Sequence, residues 1–152
     1  MDRQTAARLY EQHKTGLYRF ALSILKSEAA AEDALQETFL RLLGRDGSPC
    51  QPGKEQAWLY QVIRNLCLDQ LRRQKRQPEA IRETAAWDAP EWEFLALIEP
   101  LRPLDRQIVS LKIIGGFTHR EIAAIVGLTT AGAKKRYERA IAQLKTELEG
   151  CI

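Results

Sequence analysis

Apolar residues recur every three to four positions along most of the chain, which is the spacing of one face of an α-helix. No stretch alternates apolar and polar residues for long enough to predict a strand. Glycine and proline gather at 44–53, 78, 90 and 100–103, and these positions separate the periodic segments. We therefore predict an all-α fold with helices at about 4–26, 29–43, 54–76, 93–100, 104–114, 118–126 and 130–148.

The charge distribution divides this helical chain into three parts. Residues 1–76 carry 13 Lys and Arg against 9 Asp and Glu, residues 94–152 carry 9 against 6, and residues 77–93 carry 1 against 5. The middle segment, QPEAIRETAAWDAPEWE, is also polar and is bounded by proline at both ends. We predict two small helical domains, 1–76 and 94–152, that favour anionic partners and are joined by an acidic linker at 77–93.

The thiol and imidazole side chains are dispersed. Cys50, Cys67 and Cys151 are far apart and odd in number, and neither His13 nor His119 completes a metal-ligand spacing with them. We expect no metal, no cofactor and no disulfide framework, with the cysteines as small apolar residues. No signal-peptide pattern opens the chain and no apolar run approaches the ~20 residues of a membrane span, so we expect a reducing cytoplasm.

A capping-box pattern opens the segment FTHREIAAIVG, because Thr118 precedes an apolar run and Glu121 follows Thr118 by three residues. The predicted buried stripe of this short helix has three members, Ile122, Ile125 and Val126. Gly127 can supply the left-handed residue that ends the helix, and Thr129 can cap the next one. Two short helices joined in this way are typical of a helix-turn-helix.

The last predicted helix has two faces when its residues are placed at about 100° per residue. The predicted packing face comprises Ala133, Tyr137, Ala140, Ile141, Leu144 and Leu148. The predicted opposite face comprises Gly132, Lys135, Arg136, Arg139 and Gln143. A basic face on the second helix of a helix-turn-helix favours insertion into the DNA major groove. A solvated surface is the other interpretation, whereas the alanines opposite the charges disfavour a membrane-surface helix.

The segment AAAEDALQETFLRLL has an unusual polar face. Its packing stripe is predicted to be Leu35, Phe39 and Leu42. Asp33, Glu37 and Leu40 lie opposite that stripe, with Gln36 and Arg41 at the flanks. A leucine among acids is atypical of a solvated face and typical of a protein-docking surface, which has an apolar centre and a polar rim.

The segment EQAWLYQVIRNLCLDQLRRQKRQ combines aromatic, amide and cationic side chains on one face. The packing stripe is predicted to be Leu59, Val62, Ile63 and Leu66, and the far face Trp58, Gln61, Asn65, Asp69, Arg72 and Arg76. Such a set suits unpaired nucleic acid, because rings stack on bases while cations follow phosphates. The alternative places Trp58 in the core and lets Arg72, Arg73, Lys75 and Arg76 stabilise a helix C-terminus; both interpretations stay open.

Three segments in this order together resemble the bacterial sigma factors of the extracytoplasmic-function class. EDALQETFLRLL is similar to the helix that grips the largest polymerase subunit, and AWLYQVIRNLCLDQLRRQKR to the region that melts and reads the −10 promoter element. LRPLDRQIVSLKIIGGFTHREIAAIVGLTTAGAKKRYERAIAQL is similar to the module that reads the −35 element. The resemblance implies a non-catalytic subunit that binds core RNA polymerase and directs promoter-specific transcription initiation.

The resemblance also assigns residues and partners. Polymerase binding would use Asp33, Gln36, Glu37, Leu40 and Arg41. The −10 strand would meet Trp58, Gln61, Asn65, Arg72 and Arg73, with the loop 44–53 forming a pocket for a flipped base. The −35 duplex would meet Thr130, Lys134, Lys135, Arg136 and Arg139. The implied partners are core polymerase, promoter DNA and an anti-sigma factor that is often held at the membrane, and no small-molecule substrate is implied.

One departure from the family pattern falls on the predicted DNA face, since Gly132-Ala133 stands where the family commonly has Thr-Val.

Two other functions compete with the one that the resemblance implies. A free-standing helix-turn-helix regulator would leave the docking helix unexplained. An enzyme is disfavoured because no nucleophile motif is present and because His119, expected on an exposed first turn, is poorly placed as a base.

Overall fold

The computed structural model of the chain describes residues 3–44, 53–76 and 90–150. These residues form seven α-helices and no strand: α1 Arg3–Leu25, α2 Glu28–Leu43, α3 Glu55–Arg76, α4 Pro90–Ile98, α5 Pro103–Ile113, α6 His119–Val126 and α7 Thr130–Gly150. The prediction of an all-α fold is confirmed. The largest difference in a helix boundary is at α4, which begins at Pro90 rather than 93, because proline is well suited to the first position of a helix.

The chain divides into two compact units, Met1–Ala85 and Ala86–Ile152. Residues 77–89 of the predicted linker, and residues 45–52 of the predicted base-pocket loop, lie outside the described residues. Residues 90–93, which were expected to be linker, belong to α4.

The first unit packs α1, α2 and α3 around one apolar core. Its largest fully buried side chains are Leu17, Phe20 and Leu22 on α1, Leu42 on α2, and Leu59, Tyr60 and Ile63 on α3. The Phe20 and Tyr60 rings lie 5.5 Å apart, and the Tyr10 and Phe39 rings meet edge to face at 4.7 Å. This core fixes the faces that α2 and α3 leave exposed.

The second unit packs α7 against both α5 and α6. Its buried apolar side chains include Ile108, Val109, Leu111, Ile122, Ala133, Ala140 and Leu144. The prediction that Leu148 belongs to the packing face is wrong, because its side chain is 52% exposed. Periodicity alone continues the stripe to Leu148, since it does not show where the neighbouring helices stop.

Candidate nucleic-acid and docking interfaces

The turn between α6 and α7 is defined by local hydrogen bonds. The Thr118 backbone N–H donates to Glu121 Oε1 at 2.9 Å, and the Glu121 N–H donates to Thr118 Oγ1 at 3.2 Å, which confirms the capping box. Gly127 ends α6 with φ 78°. The Gly132 N–H then donates to Thr129 Oγ1 at 3.0 Å, so Thr129 caps α7 as predicted. These contacts fix how α7 leaves the turn.

The outward face of α7 combines basic, small and acidic residues. The exposed residues of its first four turns are Thr130, Ala131, Lys134, Lys135, Glu138, Arg139, Ala142 and, at the flank, Gln143. Ala133, Ala140 and Leu144 are buried on the other side. Four of the five predicted −35 contacts therefore lie on the outward face, and Glu138 lies among them.

Arg136 differs from the other predicted −35 contacts. Its Nη1 donates to Asp105 Oδ1 on α5 at 3.3 Å, with the two side chains 40% and 15% exposed. Gln143 Nε2 similarly donates to the Pro100 carbonyl oxygen at 3.4 Å. The prediction that Arg136 lies opposite the packing face is wrong, because Arg136 is half-buried on the flank that contacts α5. Gln143 is exposed, as predicted, and contacts Pro100 from the same flank. A helical wheel predicts a single packing face, so it does not show that α5 contacts α7 from a second side.

Gly132 was predicted to lie on the face opposite the packing residues, but it is half-buried. A Cβ atom built there would lie 3.0 Å from Thr129 Oγ1, the oxygen that caps α7. The glycine thus leaves room for the capping hydroxyl of Thr129. This structural role in the turn was not predicted from the sequence.

The expectation that His119 is exposed is also wrong. Its ring lies 5.2 Å from the Tyr137 ring, and its side chain is half-buried. Within the described residues its Nδ1 atom is buried and has no hydrogen-bond partner. His119 is the first residue of α6, and its position there led to the prediction that it is exposed. In the structure the Tyr137 side chain of α7 packs against it.

The predicted docking face of α2 is exposed throughout. Asp33, Gln36, Glu37, Leu40 and Arg41 are all exposed, and the packing residues Leu35, Phe39 and Leu42 are all buried. Leu40 is 62% exposed, and Leu43, which the sequence did not single out, is 49% exposed. Arg41 Nε donates to Glu37 Oε1 at 3.4 Å, one helical turn away. The face thus has two exposed leucines beside a paired acid and base.

The predicted strand-binding face of α3 is partly exposed. Gln61, Asn65, Arg72 and Arg73 are exposed, whereas Trp58 is half-buried. Arg73 Nη2 lies 3.0 Å from Asp69 Oδ2, which neutralises part of that charge. The half-buried position of Trp58 is compatible with either of its two interpretations.

Two α3 side chains belong to the core rather than to this face. Burial raises the pKa of Tyr60 to about 12 and that of the Cys67 thiol to about 12. Cys67 is fully buried, as predicted for a small apolar residue, and burial keeps its thiol protonated and unreactive. Tyr60 was not predicted as a packing residue, because its neighbours in the periodic pattern already complete a stripe.

The described ranges contain neither a metal-binding cluster nor a membrane-spanning helix. No group of three or more His, Cys, Asp or Glu side chains in residues 3–44, 53–76 and 90–150 is arranged to hold a metal ion. No helix in the same ranges has the length and apolar character required to cross a membrane.

The chain is similar to known proteins in both units. The family model for Sigma-70 region 2 matches residues 9–77, and the model for Sigma-70 region 4 matches residues 91–144. The helix-turn-helix of α6 and α7 lies within the second match, and the exposed faces of α2 and α3 lie within the first.

Relatives span nearly the whole chain. It is 32% identical to the ECF RNA polymerase sigma factor SigE of Mycolicibacterium smegmatis, over 92% of this chain and 60% of that protein. It is also 32% identical to the probable RNA polymerase sigma factor RfaY of Xanthomonas campestris pv. campestris, over 84% of this chain and 36% of that protein. The chain therefore spans less than two thirds of the length of either relative.

A solved structure shares the fold. The sigma factor RpoE from Bartonella quintana, solved in complex with the anti-sigma factor NepR, superposes with a TM-score of 0.76 at 24% sequence identity. The match covers 93% of this chain and 97% of that one.

Proposed function

Because the chain belongs to the extracytoplasmic-function sigma factors of the sigma-70 family, we propose that it binds core RNA polymerase and directs promoter-specific transcription initiation. It does so without covalent chemistry of its own. The first unit supplies region 2, and the second unit, which includes residues 90–93 of α4, supplies region 4. Two weak DNA contacts on one chain become effective together because the second contact is intramolecular.

One observation carries this proposal: a capped helix-turn-helix presents Lys134, Lys135 and Arg139 outward, in the same chain as a helix that exposes Leu40 between charged residues. A DNA-binding module alone fits many regulators. A separate unit with an apolar docking face is what a promoter-specificity subunit needs, since it must bind polymerase as well as DNA.

The first unit supplies polymerase docking and −10 recognition. Asp33, Gln36, Glu37, Leu40 and Arg41 form the docking face, and its leucine provides the apolar area that the polar rim surrounds. Trp58, Gln61, Asn65, Arg72 and Arg73 meet the nontemplate strand. The cations attract phosphates, and the amides of α3 hydrogen-bond to unpaired base edges.

The second unit supplies −35 recognition. Thr130, Lys134, Lys135 and Arg139 meet the duplex from the outward face of α7. Arg136 approaches the DNA backbone from the flank while Asp105 holds its guanidinium group, so its role combines positioning with charge.

Core polymerase and promoter DNA are the proposed partners, and an anti-sigma factor is the proposed regulator. The fold shared with a sigma factor solved in complex with an anti-sigma factor supports that regulator. The chain acts in the cytoplasm, where the anti-sigma factor can hold it at the inner face of the membrane. No small-molecule substrate is part of this mechanism.

The test is run-off transcription by the purified full chain with core polymerase on a pool of promoters that is randomised at the −10 and −35 elements. We expect initiation from a defined subset of promoters. A free-standing regulator would instead bind DNA without polymerase and support no initiation. Failure to initiate on any member of the pool would remove the proposed function.

A further inference from the structure

Glu138 is the exposed acidic residue within the first four turns of the proposed DNA-reading helix, α7. Lys134 precedes it by four residues and Lys135 by three, so the three side chains are neighbours on the helix surface. Arg139 is adjacent in sequence and also exposed. In the part of the chain that the structure describes, no ion pair occupies the Glu138 carboxylate. An exposed acid surrounded by cations thus lies where DNA is expected.

The rotation of α7 about its axis is fixed by contacts on two sides. Ala133, Ala140 and Leu144 are buried on one side. On a second side Arg136 is held by Asp105, and Gln143 contacts the Pro100 carbonyl oxygen. These contacts leave Glu138, rather than Gly132 or Arg136, near the middle of the outward face. The backbone of Glu138 therefore stays on the outward side of α7 as long as the packing of the unit is kept.

Among the DNA groups that a carboxylate at this position would meet, the hydrogen-bond donors of the bases attract it, whereas the phosphates repel it. In the major groove the bases that offer an amino donor are cytosine, through N4, and adenine, through N6. A carboxylate only accepts hydrogen bonds, so it suits cytosine, whereas adenine pairs best with an amide that both donates and accepts. Guanine and thymine present acceptor oxygens that a carboxylate repels.

We propose that Glu138 is a specificity-determining residue that selects cytosine at one position of the −35 element. The flanking Lys134, Lys135 and Arg139 neutralise nearby phosphates and so reduce the repulsion that the carboxylate meets. This inference rests on the proposed −35 role of α7, and it adds the class of base that the helix reads. The lysines contribute affinity for any sequence, and the acid contributes discrimination.

The experiment is selection by the full chain with core polymerase from promoters randomised at the −35 element and constant elsewhere. We expect the wild type to enrich cytosine at one position by about five-fold or more over guanine and thymine. Glu138→Gln should shift the preference there toward adenine, since an amide pairs with adenine N6 and N7. Glu138→Ala should abolish the preference at that position and leave the other positions unchanged.

Glu149→Gln is the matched control, because it removes the same charge from an exposed position much farther along α7. It should keep the wild-type profile. Three results would overturn the inference even if promoter-dependent initiation persists. They are an unchanged base profile in Glu138→Gln, enrichment of adenine by the wild type, and a gain in affinity of Glu138→Gln that is the same for all sequences. Absence of initiation by the wild type would overturn the proposed function and the inference together.

Discussion

Arg136 on α7 is tied to Asp105 on α5, with Nη1 and Oδ1 separated by 3.3 Å. The Asp105 side chain is only 15% exposed, whereas that of Arg136 is 40% exposed. Asp105 also lies in the first turn of α5, where the helix dipole favours a negative charge. The pair therefore links α7, which carries the proposed −35 contacts, to a neighbouring helix that carries none of them.

We expect the Asp105–Arg136 pair to stabilise the attachment of α7 by about 0.5–1 kcal/mol, a modest value because water reaches one partner. A double-mutant cycle with Asp105→Asn and Arg136→Met should show this coupling in native-state hydrogen exchange of α7 amides. The same cycle with Arg139→Met is the control, since Arg139 is exposed on the outward face. Additive effects of Asp105→Asn and Arg136→Met would contradict a coupling between them.

The same variants measure how far Arg136 also contacts phosphate. Loss of one phosphate contact reduces the slope of log K against log salt by about 0.9 for duplex DNA. Arg136→Met should therefore lower the slope by less than Lys135→Ala, because Asp105 already occupies part of the guanidinium group. An equal decrease for both variants would show that the ion pair opens when the chain binds DNA.

Gly127 should be sensitive to substitution because of its backbone conformation. Its φ is 78°, and a Cβ there would meet no atom within 4 Å, so the cost of a side chain is conformational rather than steric. Gly127→Ala should lower the free energy of unfolding by about 1 kcal/mol, and Gly127→Asn by less, since asparagine tolerates this region. Thermal unfolding measures both. Gly150→Ala, at an open position without a positive φ, is the control; an equal loss there would contradict this explanation.

The helix boundaries and the α6–α7 turn could be predicted because their causes are local. Thr118, Glu121 and Gly127 act on backbone groups a few residues away, and three-residue spacing in the sequence is enough to identify them. The exposed face of α2 was predictable for a different reason, because α1 and α3 form a single core that buries a single stripe of α2.

Features that depend on a second neighbour could not be predicted. The Arg136–Asp105 contact joins residues 31 positions apart. Because of this contact, Arg136 lies on the flank of α7. A helical wheel distinguishes only a packing face and an opposite face, so it does not predict this position. His119 is likewise covered by Tyr137 from the next helix. The outward position of Glu138 could not be predicted either, because these contacts determine which side of α7 faces solvent.

The half-buried His13 should make stability depend on pH near neutrality. Burial lowers the pKa of His13, and the negative charge of Glu55 opposes this only in part. The unfolded chain then binds a proton at a higher pH than the folded chain does. Stability is therefore complete above about pH 6.5 and decreases as the pH falls from there through the lowered pKa.

We expect His13→Gln to reduce the loss of stability between pH 7.5 and pH 5.5, because the glutamine does not titrate. Urea unfolding of the wild type and the variant at the two pH values measures the difference. The comparison isolates His13, since every other titrating group is common to both proteins. Equal pH dependence in the two proteins would show that His13 takes up its proton without cost in the folded state.

The docking face of α2 can be tested without disturbing the core. Gln36 and Glu37 are exposed, so replacing both with alanine should weaken binding to core polymerase by about tenfold while the melting temperature stays close to that of the wild type. Leu40→Ala should have a similar effect, because its 62% exposed side chain provides the apolar centre of the face. The dissociation constant for core polymerase, measured by fluorescence anisotropy, reports both.

Glu32→Ala is the matched control for these docking variants, because it removes an exposed acid from α2 outside the predicted face. Glu37 also pairs with Arg41, and loss of that contact should cost the helix only about 0.3–0.5 kcal/mol. A tenfold change in affinity corresponds to about 1.4 kcal/mol, so it cannot come from the helix pair alone. Unchanged affinity in the double variant and in Leu40→Ala would place polymerase binding on another surface of the first unit.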